Sequence, residues 1–398
     1  MTETVGHWVD YIDKQLIEQL SEWRRILHQQ PELSNQEWET AKRVKKWLSE
    51  MGVEIVEYPD IPGFVGIVSG LIDEEIAIRA DMDALPILDE KVCGYTSKNT
   101  GVMHACGHDG HVAILLGVAK VLCDIQRQGL LQKTVRLIFQ HSEEQVPGGA
   151  RAMIQAGALG KAKRIFGAHL WASLEVGTVA MKPGVIMAAA DRFIIHIQGK
   201  GGHGSMPHQT IDAILVASHI IQGLQTIVSR NIDPLESAVI SVGTMQAGTN
   251  FNIIADKAKI TGTVRTFQPE VREMIQERMH LMIQSICQAH GATCEISYME
   301  GYPPVVNDSK LATEIEQEFH QVLLSEQIIA MKPVMGGEDF SYFLNEIPGV
   351  YFFIGAGNQS TGIVYPQHHP KFDIDEHSLT IGVKAFLAIL HLECRKMG

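Results

Sequence analysis

The densest run of reactive side chains is Met103-His104-Ala105-Cys106-Gly107-His108-Asp109-Gly110-His111. Three histidines, a cysteine and an aspartate share eight positions. A hydrophobic core would not tolerate that density without partners. Cys106 and His108 form a candidate metal pair, because thiolate and neutral imidazole are the commonest zinc donors. Two-residue spacing in a turn before a helix lets both side chains face one pocket. An isolated Cys-x-His would more often be a buried cysteine beside a loop histidine; the surrounding residues set this run apart.

Weaker segments acquire meaning beside it. In Gln140-His141-Ser142-Glu143-Glu144, the two adjacent carboxylates repel unless a cation is present. One can bind metal while its neighbour serves as a general base. Alone, the pair would read as a solvated acidic loop. His169, in Gly167-Ala168-His169-Leu170-Trp171, would by itself be a core histidine. Pro366-Gln367-His368-His369-Pro370 is expected to be extended before its proline, so at most one of its two rings should enter a given site. Asp81 and Asp83 follow a strand-like run and by alternation share one face. Such carboxylates orient ligating imidazoles from behind.

Another cluster lies further on. Gly199-Lys200-Gly201-Gly202-His203-Gly204-Ser205 is a glycine-rich loop around His203, without the spacing of a phosphate loop. Gly248-Thr249-Asn250-Phe251-Asn252 and Arg265 belong to the same region. Arg265 could grip a carboxylate with two parallel bonds or be an exposed strand arginine.

These residues need elements to hold them. Trp8, Ile12, Leu16, Leu20, Trp23 and Leu27 recur at helical spacing as far as Pro31, and a second helix follows Ser34 as its N-cap and runs to Met51. Strands at Glu75–Ala80, Thr134–Phe139 and Ile165–Leu170 alternate with a buried helix, Ile114–Ile125. This is the rhythm of an α/β fold with a mostly parallel sheet flanked by helices. Cys106, Glu143-Glu144, His169 and Asp81 then cluster at strand ends, where parallel α/β sheets build their sites. Between Pro183-Gly184 and Tyr302 the order becomes β-α-β-β-α-β, that of a ferredoxin-like α+β insertion. The expected domains are 1–183 with 298–398, and an inserted lid at 184–297.

Composition excludes other classes. The 398 residues carry 33 Lys and Arg against 46 Asp and Glu, a net charge of −13. Without a basic run, this is no nucleic-acid binder. The longest uninterrupted apolar runs fall short of the ~20 residues that a spanning helix needs. Met1–Asp10 lacks a signal-peptide pattern. Six cysteines without framework spacing suit a reducing compartment, so a cytoplasmic location is expected.

Asp81-Met82-Asp83-Ala84-Leu85-Pro86, Met103–His111, Glu143-Glu144, Gly167-Ala168-His169 and Gly336-Gly337-Glu338-Asp339-Phe340 together resemble the dinuclear-metal aminoacylase/carboxypeptidase family, in its N-acyl-amino-acid amidohydrolase branch. The likeness runs from Arg24-Arg25-Ile26-Leu27-His28 to Asp375-Glu376. It implies two divalent ions per subunit, drawn from zinc, manganese, cobalt or nickel. Cys106 would bridge them, with His108, Glu144, His169 and His368 as further ligands and Glu143 as general base. It also implies a homodimer formed through the lid, with His203 reaching a neighbour's site and Asn252 and Arg265 holding the carboxylate of an N-acyl amino acid. Gln140-His141-Ser142 departs from the branch's usual Gln-Pro-Ala, and His369 stands where Ser or Asn is commoner. Two rival readings stay open: a hydrolase with Cys106 as nucleophile, and an inactive binding module.

Overall fold

The strand Ile72–Asp81 is buried over its last six residues, which requires cover on both faces. In the computed structural model, which describes residues 7–396, it lies inside an eight-stranded sheet. The order is Glu54–Glu57, Phe64–Val68, Lys133–Gln140, Ile72–Asp81, Ala162–Glu175, Gly349–Gly357, Thr178–Met181 and Gln327–Ala330. The four strands from Lys133–Gln140 to Gly349–Gly357 run parallel. Antiparallel pairings join the outer strands to this centre. Asp81 pairs with Gln140, and Arg79 with Gly167. The register therefore brings Asp81, the 140–144 loop and His169 to one level at the carboxyl ends.

The chain divides into two compact units. The first takes in the described residues up to Ile186, then Val306–Lys332, and the described residues from Asp339 onward. The second is Met187–Val305 with Pro333–Glu338. In the first unit, the helix His108–Arg127 is buried along nearly its whole length. It packs against the helices Lys14–Gln29 and His377–Arg395. His377–Arg395 is long and apolar enough to cross a membrane, yet 83% of its most apolar window is buried inside the fold. Counting uninterrupted apolar residues overlooks it, because Lys384 breaks the run.

Local expectations need three corrections. The first helical face is not continuous: Trp8–Tyr11 is a separate 3-10 turn, and Asp13 caps Lys14–Gln29 by accepting from Leu16 N at 2.7 Å. Ser34 does not cap the second helix, which starts at Trp38 behind Glu37; its hydroxyl instead donates to Asp83 at 2.7 Å. Finally, Ile253–Thr266, which the sequence pattern reads as one strand, is two. Ile253–Ile254 pairs with Gly202–His203, and Lys257–Thr266 enters the main sheet of the second unit.

That sheet is antiparallel, in the order Ala238–Ala247, Lys257–Thr266, Ala189–Gln198, Thr293–Tyr302. The helices Ala213–Asn231 and Pro269–Ala289 complete the ferredoxin-like arrangement. Phe193, Ile195, Ile220, Leu224, Ile260, Ile275, Met279 and Ile283 form a core belonging to this unit alone. Fully burying one such side chain contributes about 1.5–3 kcal/mol.

Candidate metal centre

At the carboxyl ends of the parallel strands, Cys106, His108 and His169 place ligand atoms within 4.8 Å of one another. Cys106, Glu144 and His368 do the same, and so do His108, Glu143 and Glu144. Cys106 Sγ is 3.4 Å from His169 Nε2. Glu144 Oε1 is 3.3 Å from His368 Nε2, and Glu143 Oε2 is 4.0 Å from His108 Nε2.

The hydrogen bonds behind the imidazoles fix their tautomers. His108 Nδ1 faces the Asp83 carbonyl at 2.9 Å and its carboxylate at 3.2 Å. Both are acceptors, so Nδ1 carries a proton, and in the neutral ring Nε2 turns a lone pair inward. His169 Nδ1 likewise donates to the Leu170 carbonyl at 2.8 Å. Buried His108 Nε2 and Glu144 Oε1 have no well-aligned hydrogen bond. Orphaned donor atoms facing one another suit a shared cation.

The electrostatics agree. Burial alone would lower the pKa of His108, but Asp81, Asp83 and Glu144 push it up to about 10. Burial and the carboxylates of Glu144, Glu143 and Asp81 push the Cys106 thiol well up. Only added positive charge turns such a thiol into thiolate, which disfavours Cys106 as a free nucleophile. The residues therefore fit a divalent metal centre.

Second partners hold the donors in place. Asp83 also accepts from Glu144 N at 2.9 Å, tying the 143–144 loop to His108. Despite burial, the bonds from His108 and Ser34 keep Asp83 below the usual carboxylate range. Asp81 pairs instead with His111 Nδ1 at 2.6 Å. His111 Nε2 accepts from Leu170 N at 2.9 Å, so this ring braces the strand bearing His169. Arg79 spans Gln140, Asp81 and Asp339 at 2.6–2.8 Å.

The glutamate loop is tightly built. Ser142 has φ 52°, a costly left-handed conformation for a residue other than glycine. Glu37 accepts from its N–H at 2.7 Å. Burial, with Asp83 nearby, raises Glu37 to about 8. At Gly149 a Cβ would lie 1.9 Å from the His141 carbonyl oxygen, so only glycine closes this turn.

His368 is not extended as its sequence suggests. It has φ 66°, and its N–H donates to the Ala105 carbonyl at 2.7 Å. This turns its ring toward Glu144. His369 stacks on Tyr365 with ring centroids 4.3 Å apart and accepts from Lys371 N. Geometry thus separates two histidines that the sequence leaves equivalent.

His203, Asn252 and Arg265 lie in the second unit. His203 Nδ1 accepts from Ser205 N at 3.2 Å, leaving the proton of the neutral ring on Nε2. Gly204 N donates to the Asn252 carbonyl at 2.9 Å, which joins the two loops. Arg265 is half-buried beside Gly337, where a Cβ would come within 3.2 Å of Nη1. Burial lowers its pKa.

A parallel sheet with this donor set at its carboxyl ends, together with a ferredoxin-like second unit, describes a metallopeptidase-type hydrolase. Peptidase family M20/M25/M40 matches residues 77–392, and the chain belongs to that family as a metal-dependent amidohydrolase. It is similar to an N-acyl-L-amino acid amidohydrolase of Geobacillus stearothermophilus, with 46% identity over 72% of this chain and 77% of that one. It is also similar to an N-acetylcysteine deacetylase of Bacillus subtilis, with 42% identity over 96% of this chain and all of the other. Among solved structures, the Bacillus subtilis YXEP protein, described as a dinuclear metal binding peptidase of the M20 family, superimposes with a TM-score of 0.83. Identity there is 38%, over 97% of this chain and 100% of that one.

Proposed function

We propose that the protein hydrolyses the amide bond of N-acyl amino acids, releasing a carboxylic acid and a free amino acid. The observation that carries this reading is that Cys106 belongs to two donor groups at once, beside the Glu143 carboxylate. The names of the Geobacillus and Bacillus relatives support the substrate class. Cys106, His108, Glu144, His169 and His368 would hold two divalent ions, with Cys106 serving both. A thiolate favours zinc, cobalt, nickel or manganese over magnesium. When bound, such ions polarise the scissile carbonyl and acidify a water.

The remaining steps belong to the chain. Glu143 takes a proton from the attacking water and delivers it to the leaving nitrogen. His203 donates from Nε2 to the carbonyl oxygen as negative charge builds there. Arg265 and Asn252 hold the substrate carboxylate. In this reading 184–297 is the lid, the enzyme works in the cytoplasm as a homodimer joined through it, and His203 serves the neighbouring subunit's site. A turnover screen of acetyl-, benzoyl-, succinyl- and indoleacetyl-amino acids tests the reaction, with defined zinc, manganese, cobalt or nickel loading. Release of free amino acid from at least one series is expected. Metal-replete protein that cleaves none of them overturns the proposal.

A further inference from the structure

Arg24 is fully buried in the helix Lys14–Gln29, and the reaction just described gives it no part. Its Nε donates to Asp109 at 2.9 Å and its Nη2 to Asp373 at 2.6 Å; Nη1 lies 3.5 Å from Glu376. The Tyr95 ring packs against the guanidinium, 4.8 Å from centroid to Cζ, while the Tyr95 hydroxyl donates to Asp373 at 2.8 Å. One helical turn on, His28 shares the same Asp109 oxygen at 2.7 Å. Lys91 ties His28 to the Phe372 carbonyl, at 2.8 Å to each.

The two arms of the fork reach different segments, the first turn of the helix His108–Arg127 and the loop that holds Asp373. Asp109 directly follows His108, in the segment that also holds Cys106. Asp373 lies five residues after His368, in the segment that supplies the other donor. Between these segments the main chain makes the single bond from His368 N to Ala105 O. Burying so much charge is a poor route to stability, since apolar residues of similar volume often do as well or better. What a rigid planar fork provides is geometry: two carboxylates held at one spacing.

We propose that Arg24 is a positioning residue that sets the spacing between the Cys106–His108 segment and the His368 segment, and so allows both to serve one metal pair. This rests on reading Cys106, His108 and His368 as ligands. Arg24 touches neither substrate nor ion. It acts through Asp109 and Asp373.

The test loads the full chain with cobalt(II) chloride. It follows the cobalt–thiolate absorption, the affinity for each cobalt equivalent by chelator competition, and the fold by circular dichroism. Arg24→Lys keeps the charge and loses the fork. Asp373→Asn removes one arm and leaves the Asp109 arm intact. Both variants should fold, bind cobalt about 10–100-fold more weakly and show a shifted thiolate band. Their kcat should fall with little change in KM. Cys106→Ser and His368→Ala are the controls for the ligand reading. If Cys106→Ser keeps the wild-type band, the ligand reading fails and this proposal fails with it. If the controls lose band and affinity but Arg24→Lys and Asp373→Asn match wild type in both, only the positioning role is wrong. Should Arg24→Lys not fold, Asp373→Asn decides by the same criteria.

Discussion

In the first unit, His108 and His169 are 1% and 4% exposed, and each has its outer nitrogen bound to a buried acceptor. In the second unit, His203 is exposed on a two-residue strand and is steadied by Ser205 and the neighbouring Ile253–Ile254. One set of groups is locked in place before any ligand arrives. The other stands on a thin ribbon facing solvent. In the proposed function, the difference separates two tasks. Holding a metal rewards rigidity, because ligand directions must already converge. Meeting a substrate or a neighbouring subunit rewards exposure.

Substitutions in the rigid set should produce the largest losses. Glu143→Gln preserves shape and removes the base, so turnover should fall about 10²–10⁴-fold with metal content unchanged. Near-normal turnover in the metal-replete variant would remove Glu143 from the mechanism. His203→Ala should cost about 10²–10³-fold in kcat with little change in substrate affinity. Mixing it with Glu143→Gln chains should restore activity, because one site of each heterodimer is intact. If chain exchange is demonstrated and activity does not return, His203 does not act across subunits.

Asp83→Asn should weaken metal binding about 10–100-fold, since it disturbs the acceptor that fixes the His108 tautomer. The same change at Asp81 should act mainly through His111, and a chelator titration comparing the two ranks these supports. The smallest effect concerns a histidine outside both sets. Burial, with His7 and Arg395 alongside, pulls His391 down to about 4, while Glu318 nearby opposes this. Its neutral form therefore supports the fold above the unfolded pKa of about 6.5. That support drains away as pH falls toward 4. His391→Gln should flatten the drop in melting temperature between pH 7 and 4 by roughly a few degrees. An unchanged slope would assign the acid sensitivity elsewhere.

The sequence pattern reaches some of these groups and misses others for physical reasons. Strand ends bearing Asp81, Glu143 and His169 follow from alternation and apolar runs, because buried parallel strands leave that signature. The choice of His368 over His369 does not follow, since it depends on one left-handed backbone angle held by Ala105. Ser34 has the chemistry of a cap, but tertiary contact gives its hydroxyl to Asp83. His111 is one of three histidines in the run around Cys106, and its spacing assigns it no role. Only the register that brings Leu170 N to its Nε2 shows it to be a brace. The Arg24–His28 pair has helical spacing, but its partners lie about 80 and 350 residues away in the chain, and no local pattern announces them.

The buried His377–Arg395 helix also bears on how the molecule is made. Gly117, in the helix His108–Arg127 that begins with a candidate ligand, has no room for a Cβ, which would lie 2.6 Å from Leu20 Cδ2 and 2.8 Å from Val383 Cγ2. Synthesis proceeds from the amino end, and domains generally fold as they emerge. The second unit has every residue of its apolar core once Tyr298 is out, before Val306–Lys332 and the chain from Asp339 are made. The first unit cannot close around His108–Arg127 until His377–Arg395 has left the ribosome. Until then the apolar face of His108–Arg127 that His377–Arg395 covers stands open, so aggregation should concentrate in that interval. A stop codon before His377 should leave a chain whose second unit folds and whose first does not.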